Sequence, residues 1–169
     1  MPDELKRAFG LEGERALITG GGTGLGFAMA KCFVQAGADV VITGRREDAL
    51  VEAVKQLGPK ADYRVFDVTD TANAVSFVEM LTQEIGPVSI LVNNAGISIE
   101  QPLNDMSIES WKQIIDTNLN SVAVVIKAFL PIMIRRNSGN IVNVGSGAGL
   151  RGLPGSCAYS ASKAGVICL

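Results

Sequence analysis

The sequence predicts a doubly wound α/β fold, a parallel sheet with helices on both faces. Five short β-rich runs, residues 15–19, 39–43, 61–66, 89–93 and 140–144, alternate with helical patterns. The runs are mostly continuous in Val, Ile and Leu and do not alternate with polar residues, as strands covered on both faces require. Glycine or Gly-Pro closes the intervening helices before the next strand begins.

In chain order, the first strand leads through a glycine-rich turn into a helix over 25–36, stopped by Gly37. The second leads to a helix over 47–57, stopped by Gly58-Pro59, and the third to one over 71–85, stopped by Gly86-Pro87. After the fourth strand a longer helical region, 108–136, is expected to bend, because Asn118 and Asn120 are poor helix formers in its middle. The fifth strand precedes a last helix from Ala158 to Leu169.

With 169 residues, 47% of them hydrophobic, the chain is expected to form a single domain over 1–169. A net charge of -2 without runs of one sign gives no footprint for nucleic acid or for an anionic membrane. Residues 1–7 lack the apolar core of a secretory signal, so a cytoplasmic protein is expected. The most apolar stretch, 121–134, is interrupted by Lys127 and Pro131 and is too short to cross a bilayer, so it reads as a buried core helix. Histidine is absent, which removes the commonest general base, any Ser-His-Asp triad and imidazole-dependent zinc sites. No metal is expected. Cys32, Cys157 and Cys168 have no ligand spacing and read as free thiols with a packing role.

The turn Thr19-Gly20-Gly21-Gly22-Thr23-Gly24-Leu25-Gly26 stands where a dinucleotide's pyrophosphate would sit. Glycines let backbone approach the phosphates, and the free N–H groups at the helix start attract the anion. Gly26 would allow close packing of helix on sheet. On the residues alone, a tight turn between strand and helix remains open as a reading.

The Thr-Gly-x-x-x-Gly-x-Gly spacing resembles the short-chain dehydrogenase/reductase family. So do Asn93-Asn94-Ala95-Gly96 after the fourth strand, Asn118 followed by leucine, Ser146 after the fifth strand, and Tyr159-x-x-x-Lys163, all in the family's order. The resemblance implies a Rossmann-type domain, an NAD(P)-dependent oxidoreductase acting on CH–OH groups, a small carbonyl or alcohol substrate and a homo-oligomer. It places Gly20, Gly22, Thr23, Gly24, Leu25 and Gly26 at the cofactor phosphates, Asp67 and Val68 at the adenine, and Asn94, Ala95 and Gly96 beside the adenosine ribose. A structural role for Asn94, satisfying backbone groups, stays open beside that one.

In NAD-preferring members a carboxylate ends the second strand, and here that position is similar to Gly44. Arg45 and Arg46 follow at a helix start, where positive charge is unfavourable unless an anion is bound. A ribose 2'-phosphate would be that anion, so NADP is expected ahead of NAD. The alternative is a solvated pair balanced by Glu47 and Asp48.

Tyr159 and Lys163, four apart in a helix, share one face. The resemblance implies that Tyr159 exchanges a proton with the substrate oxygen, that Ser146 donates a hydrogen bond to that oxygen, and that Lys163 also binds the nicotinamide ribose. Asn118 would position a water linking Lys163 to solvent. A phenol titrating near 10 needs about 4 kcal/mol of phenolate stabilisation to reach neutrality, more than the roughly 0.2–1 kcal/mol of an exposed ion pair. The site must therefore exclude water and use the charge of the oxidised cofactor.

Family members continue beyond this lysine with further strands and a substrate-covering loop, so 1–169 reads as incomplete at its C-terminal side and poorly equipped for activity alone. Phe9-Gly10-Leu11-Glu12-Gly13 resembles sugar-acid and polyol dehydrogenases of the gluconate 5-dehydrogenase type, while 3-oxoacyl carrier-protein reductases share every motif quoted. A truncated, noncatalytic nucleotide-binding or interaction module is the alternative function.

Overall fold

The computed structural model describes residues 9–169, so the reading of residues 1–7 lies outside them. Its strands are β1 (Arg15–Thr19), β2 (Asp39–Gly44), β3 (Ala61–Val65), β4 (Ile90–Asn93) and β5 (Asn140–Asn143). The helices are α1 (Gly24–Gln35), α2 (Glu47–Leu57), α3 (Ala74–Ile85), α4 (Ile108–Ile115), α5 (Ser121–Arg136) and α6 (Cys157–Cys168). A π-helical turn, Asp116–Asn120, joins α4 to α5. A short 3-10 turn, Gly147–Gly149, follows β5.

All five strands are parallel, in the order β3-β2-β1-β4-β5. This is the doubly wound Rossmann-type sheet. Successive side chains of the central strands go to opposite faces. Leu17, Val41 and Leu91 join a core with Phe77, Val78 and Leu81 of α3 and Val125, Phe129 and Met133 of α5. Ala16, Ile18, Val40, Ile42 and Val92 join the opposite core with Ala30 of α1 and Leu50, Ala53 and Leu57 of α2. Burial on both faces explains why β1 and β4 read as unbroken apolar runs. The chain winds outward from β1 to β3, then crosses back to β4 on the other side of β1. That reversal opens a crevice at the carboxyl ends of β1 and β4.

Three expectations need correction, and one takes a more specific form. Helix α3 starts at Ala74 and not at Thr71, because residues 67–73 are held in turns: Asp67 Oδ1 accepts from the Thr69 N–H at 2.9 Å, and the Asp67 carbonyl accepts from the Asp70 N–H at 2.9 Å. Such short side chains compete with the helix for local backbone groups. The expected bend at Asn118 and Asn120 takes the form of the π-helical turn, which inserts a residue without ending the helix. Residues 121–134 therefore belong to one continuous helical run, Ile108–Arg136, of 29 residues and mean hydropathy 1.6. By length and composition it could cross a bilayer, so the argument from shortness fails; in this fold its Val122, Val125, Phe129 and Met133 are buried in the core. Finally, Cys32 and Cys168 are exposed and Cys157 is half-buried, so packing does not account for them.

Phe129, 1% exposed, links α5 to α3 and to the sheet. Phe129→Ala is expected to destabilise the fold by about 3–5 kcal/mol through lost burial and the cavity left behind. Denaturant unfolding of the variant measures it; a cost below about 1 kcal/mol would mean that α5 is not held by this core.

Candidate active site

The crevice at the switch point is a cleft of about 500 Å³. That is in the range of cofactor and small-ligand sites. One wall is the glycine-rich turn. Thr19, 2% exposed, ends β1 with its hydroxyl oxygen accepting from the N–H groups of Asn94 (3.0 Å) and Ala95 (3.1 Å). Asn94 answers with its side-chain amide, which donates to the Thr19 carbonyl at 2.9 Å and the Gly20 carbonyl at 3.3 Å. The exits of β1 and β4 are thereby latched together. Gly20 has φ +66°, in the left-handed region that favours glycine. At Gly26 a Cβ would collide with the Gly20 carbonyl oxygen and stand 2.6 Å from Asn94 Nδ2. Helix α1 can reach the turn only without a side chain there.

Gly20, Thr23, Leu25 and Gly26 face the cleft, whereas Gly22 and Gly24 are not among its lining residues. Gly22 lies against α2, where a Cβ would come within 3.3 Å of Leu50, and Gly24 holds φ +57° as the first residue of α1. Gly21, not singled out from the sequence, has room for no side chain, since a Cβ would stand 2.6 Å from Ile42 Cβ. Thr23 is the N-cap of α1 and its hydroxyl makes no capping bond; the first turn of α1 holds no acidic residue. The start of α1 thus offers N–H groups and a positive dipole end to an anion in the cleft.

Gly44, Arg45 and Arg46 form the far end, together with Asp67 and Val68. Arg46 is the N-cap of α2. Both arginines are exposed, and among the described residues neither enters an ion pair. Glu47, offered from the sequence as their balance, accepts instead from the Tyr63 hydroxyl at 3.0 Å. Asp67 Oδ1 is occupied by the N–H and hydroxyl of Thr69. Phe66, missed in the sequence, also lines the cleft and stacks on Phe77 with centroids 4.1 Å apart.

At the other end, Tyr159 and Lys163 project from the first turns of α6 into the same cleft. Lys163 Nζ is 5.9 Å from the centre of the Tyr159 ring and donates to the Val144 carbonyl at 2.7 Å. The residue is only 5% exposed, and burial lowers the pKa of its ammonium from the ordinary 10.5. Ala95 and Gly96 bridge the two ends. A Cβ at Gly96 would stand 3.3 Å from Asn118 Oδ1 and 3.7 Å from Lys163 Nζ, so glycine keeps the space beside the ammonium clear.

Ser146 and Asn118 do not line the cleft. Ser146 Oγ caps the 3-10 turn after β5, accepting from the Ala148 N–H at 3.2 Å. Asn118 is fully buried in the π-helical turn. Its Oδ1 accepts from the Ile97 N–H at 2.8 Å, and its Nδ2 donates to the Ile97 carbonyl at 2.8 Å and to Ser162 Oγ at 3.1 Å. Ser162 in turn donates to the Tyr159 carbonyl at 2.7 Å. One amide therefore ties the loop after β4 to the start of α6. Ser162 was legible only as a member of the Tyr159-to-Lys163 segment, and Ile97 carried no sequence signal at all.

The short chain dehydrogenase family model matches residues 14–169. The chain belongs to the short chain dehydrogenase family. A 3-oxoacyl-[acyl-carrier-protein] reductase of Chlamydia muridarum is 41% identical over 161 residues, which make up 93% of this chain and 65% of that protein. A gluconate 5-dehydrogenase of Gluconobacter oxydans is 39% identical over 161 residues, 94% of this chain and 63% of that protein. The crystal structure of gox2181 superposes with a TM-score of 0.90 at 35% identity, covering 94% of this chain and 64% of its own. The chain thus spans less than two thirds of the length of each of these proteins.

The lowered pKa of Lys163 gives a signed prediction. Between its folded value and 10.5 the unfolded chain holds the proton more tightly than the folded one, so stability rises with pH there. Below that window the burial cost of the ammonium is fully present. Unfolding free energies of the parent and Lys163→Met should therefore shift in favour of the parent as pH climbs from neutrality toward 10.5. The reverse trend would mean that the fold stabilises the ammonium.

Proposed function

We propose that this chain is a single dinucleotide-binding domain carrying the NADP(H) site and the proton-transfer groups of an oxidoreductase that interconverts a carbonyl and an alcohol. The observation that carries the reading is one cleft lined at one end by Arg45 and Arg46 and at the other by Tyr159 and Lys163.

The residues fit such a cofactor. Gly20, Thr23 and the start of α1 would receive the pyrophosphate, Arg45 and Arg46 the 2'-phosphate, Asp67 and Val68 the adenine, and Asn94, Ala95 and Gly96 the ribose side. When bound, the nicotinamide supplies or accepts the hydride. Tyr159 donates its hydroxyl proton to a carbonyl oxygen during reduction and removes it from an alcohol during oxidation. Lys163, buried and with Nζ 5.9 Å from the centre of the Tyr159 ring, places its charge beside that ring, where burial screens it less than at an exposed site. The Lys163 ammonium also has hydrogens left for the ribose hydroxyls, since Val144 accepts only one. Ser146 donates to the substrate oxygen, its hydroxyl proton being uncommitted while its oxygen caps the turn. Asn118 holds the geometry through Ile97 and Ser162 and is proposed to serve the proton path to solvent from the same turn.

The relatives' names support a 3-oxoacyl group or a sugar acid as substrate, and the resemblance carried by residues 9–13 adds a polyol. The same reading takes the protein as cytoplasmic and homo-oligomeric; apolar Leu130 and Ile134, 37% and 71% exposed on α5, support a second copy on that helix.

Tyr159→Phe in the intact protein is expected to lower turnover by about 10²- to 10⁴-fold while leaving NADPH affinity unchanged. Undiminished activity rules out the acid/base role. Tight NADPH binding by the parent without turnover on either substrate class favours a noncatalytic binding module.

For the cofactor, loss of one charge-assisted bond of about 1.5–3 kcal/mol in Arg45→Ala or Arg46→Ala should weaken NADPH binding about ten- to a hundredfold and barely alter NADH binding. Fluorescence titration with both reduced cofactors reads this directly. Equal weakening of the two would make the arginines a solvated helix start.

A further inference from the structure

We propose that Tyr63 is a positioning residue for cofactor selection: its hydroxyl holds the Glu47 carboxylate on the β3 side of α2, leaving Arg45 and Arg46 open to a 2'-phosphate. The inference rests on the NADP(H) reading above and names a residue outside the cleft that sustains it.

Tyr63 lies in β3, one of the two edge strands, opposite Ile42. Its ring leans on the core formed with α2, beside Leu50, Ala53 and Leu57. From there the hydroxyl reaches the first turn of α2 and donates to Glu47 Oε1 at 3.0 Å. Glu47 directly follows Arg46, the N-cap of that helix. A carboxylate at this position has three attractions: the positive end of α2, the neighbouring guanidinium groups, and the Tyr63 hydroxyl. The first two are what an incoming phosphate would use. A carboxylate released toward them would neutralise the arginines and repel the phosphate.

Arg64, the one cation of β3, does not compete for Glu47. It is committed to Asp62 at 2.7 Å and Glu84 at 2.8 Å. Among the described residues Tyr63 is the only hydrogen-bond partner of the Glu47 side chain. The bond to Glu47 also raises the pKa of the Tyr63 hydroxyl above the usual tyrosine value, so it remains a donor at neutral pH. The arrangement accounts for a feature the sequence left open, an acidic residue beside two arginines that nevertheless form no ion pair with it.

The test is to titrate the intact protein with NADPH and with NADH, comparing the parent, Tyr63→Phe, Tyr63→Phe with Glu47→Gln, Glu47→Asp and Arg46→Ala. Tyr63→Phe keeps the ring and its packing and removes only the hydroxyl. It should weaken NADPH binding about two- to tenfold, the worth of one ordinary hydrogen bond, with NADH binding unchanged. Adding Glu47→Gln should restore NADPH affinity to the parent's level or better, because no carboxylate is left to compete. Glu47→Asp, too short to reach the hydroxyl, should reproduce the loss with Tyr63 intact, which covers the case of a poorly folded Tyr63→Phe.

If Arg46→Ala costs no NADPH preference, the phosphate reading itself falls and the Tyr63 role with it. If Arg46→Ala does cost that preference while Tyr63→Phe and Glu47→Asp leave the two affinities in the parent's ratio, the Tyr63 role alone is overturned.

Discussion

Everything in the cleft depends on how closely the exit of β1 can approach the exit of β4. These strands are neighbours in the sheet but are separated in sequence by two complete strand-helix units, so no local turn brings their ends together. The approach is secured by polar groups of small side chains. Thr19 accepts two backbone N–H groups that would otherwise be unpaired where β4 leaves the sheet, and Asn94 returns its amide to the carbonyls of Thr19 and Gly20. Because these groups are buried or half-buried, leaving any of them unmatched would cost about 1–3 kcal/mol, and the latch is correspondingly selective for Thr and Asn. The absence of a side chain at Gly26 lets α1 sit directly on the latch. The glycine-rich wall of the cleft and the strand pairing are in this sense one structure.

A second anchor works at the opposite end. The π-helical turn carries Asn118 inward at the level of the loop after β4, where it pairs with both backbone groups of Ile97 as a neighbouring strand would. Through Ser162 it also reaches the turn of α6 that bears Tyr159. An ordinary α-helical register would rotate this residue away from one of those partners; π-bulges recur at functional sites for such reasons. Lys163 is then held over the end of β5 by the Val144 carbonyl, dehydrated and close to Tyr159. Burying an ammonium opposes stability, and the fold carries that cost beside the Tyr159 ring.

How much of this the sequence discloses depends on the physics involved. The bounds of β1 and α2 coincide with those read from it, and the other strands differ by a residue at one end; for β1, β2 and β4 the reason is burial on both faces, which leaves an apolar run, whereas the edge strands β3 and β5 hold no buried residue. Tyr159 and Lys163 meet in the cleft because a spacing of four on a helix is a geometric statement. What the sequence hid was long-range. Nothing near Ile97 announces that its backbone will be bound by a side chain 21 positions later. The glycines of the turn looked alike in sequence, yet Gly20 and Gly26 face the cleft while Gly22 makes room for α2 and Gly24 sets a backbone angle. Cysteine burial was misjudged because it rested on a general preference of the residue type, which a solvent-facing helix position overrides.

The helix starts give the last link between local chemistry and the site. Helix α4 contributes no residue to the cleft, and its start is completed internally: Ser107 accepts from the Ser110 N–H at 3.0 Å, and Glu109 places negative charge in the first turn. At α1 the N-cap Thr23 withholds its side chain and no acidic residue follows, while α2 begins with two arginines against its own dipole. Each departure is unfavourable to the isolated helix by a few tenths of a kcal/mol to about 1 kcal/mol. Both lie on the same cleft; at α2 the arginines are followed by Glu47 and Asp48 in the first turn, with Glu47 engaged by Tyr63, whereas α1 leaves its positive end without an acidic side chain. The cleft thus meets one helix start that has neither a side-chain cap nor an acidic first turn, that of α1, and one that two exposed arginines precede, that of α2, the two standing apart by the spacing of those helices.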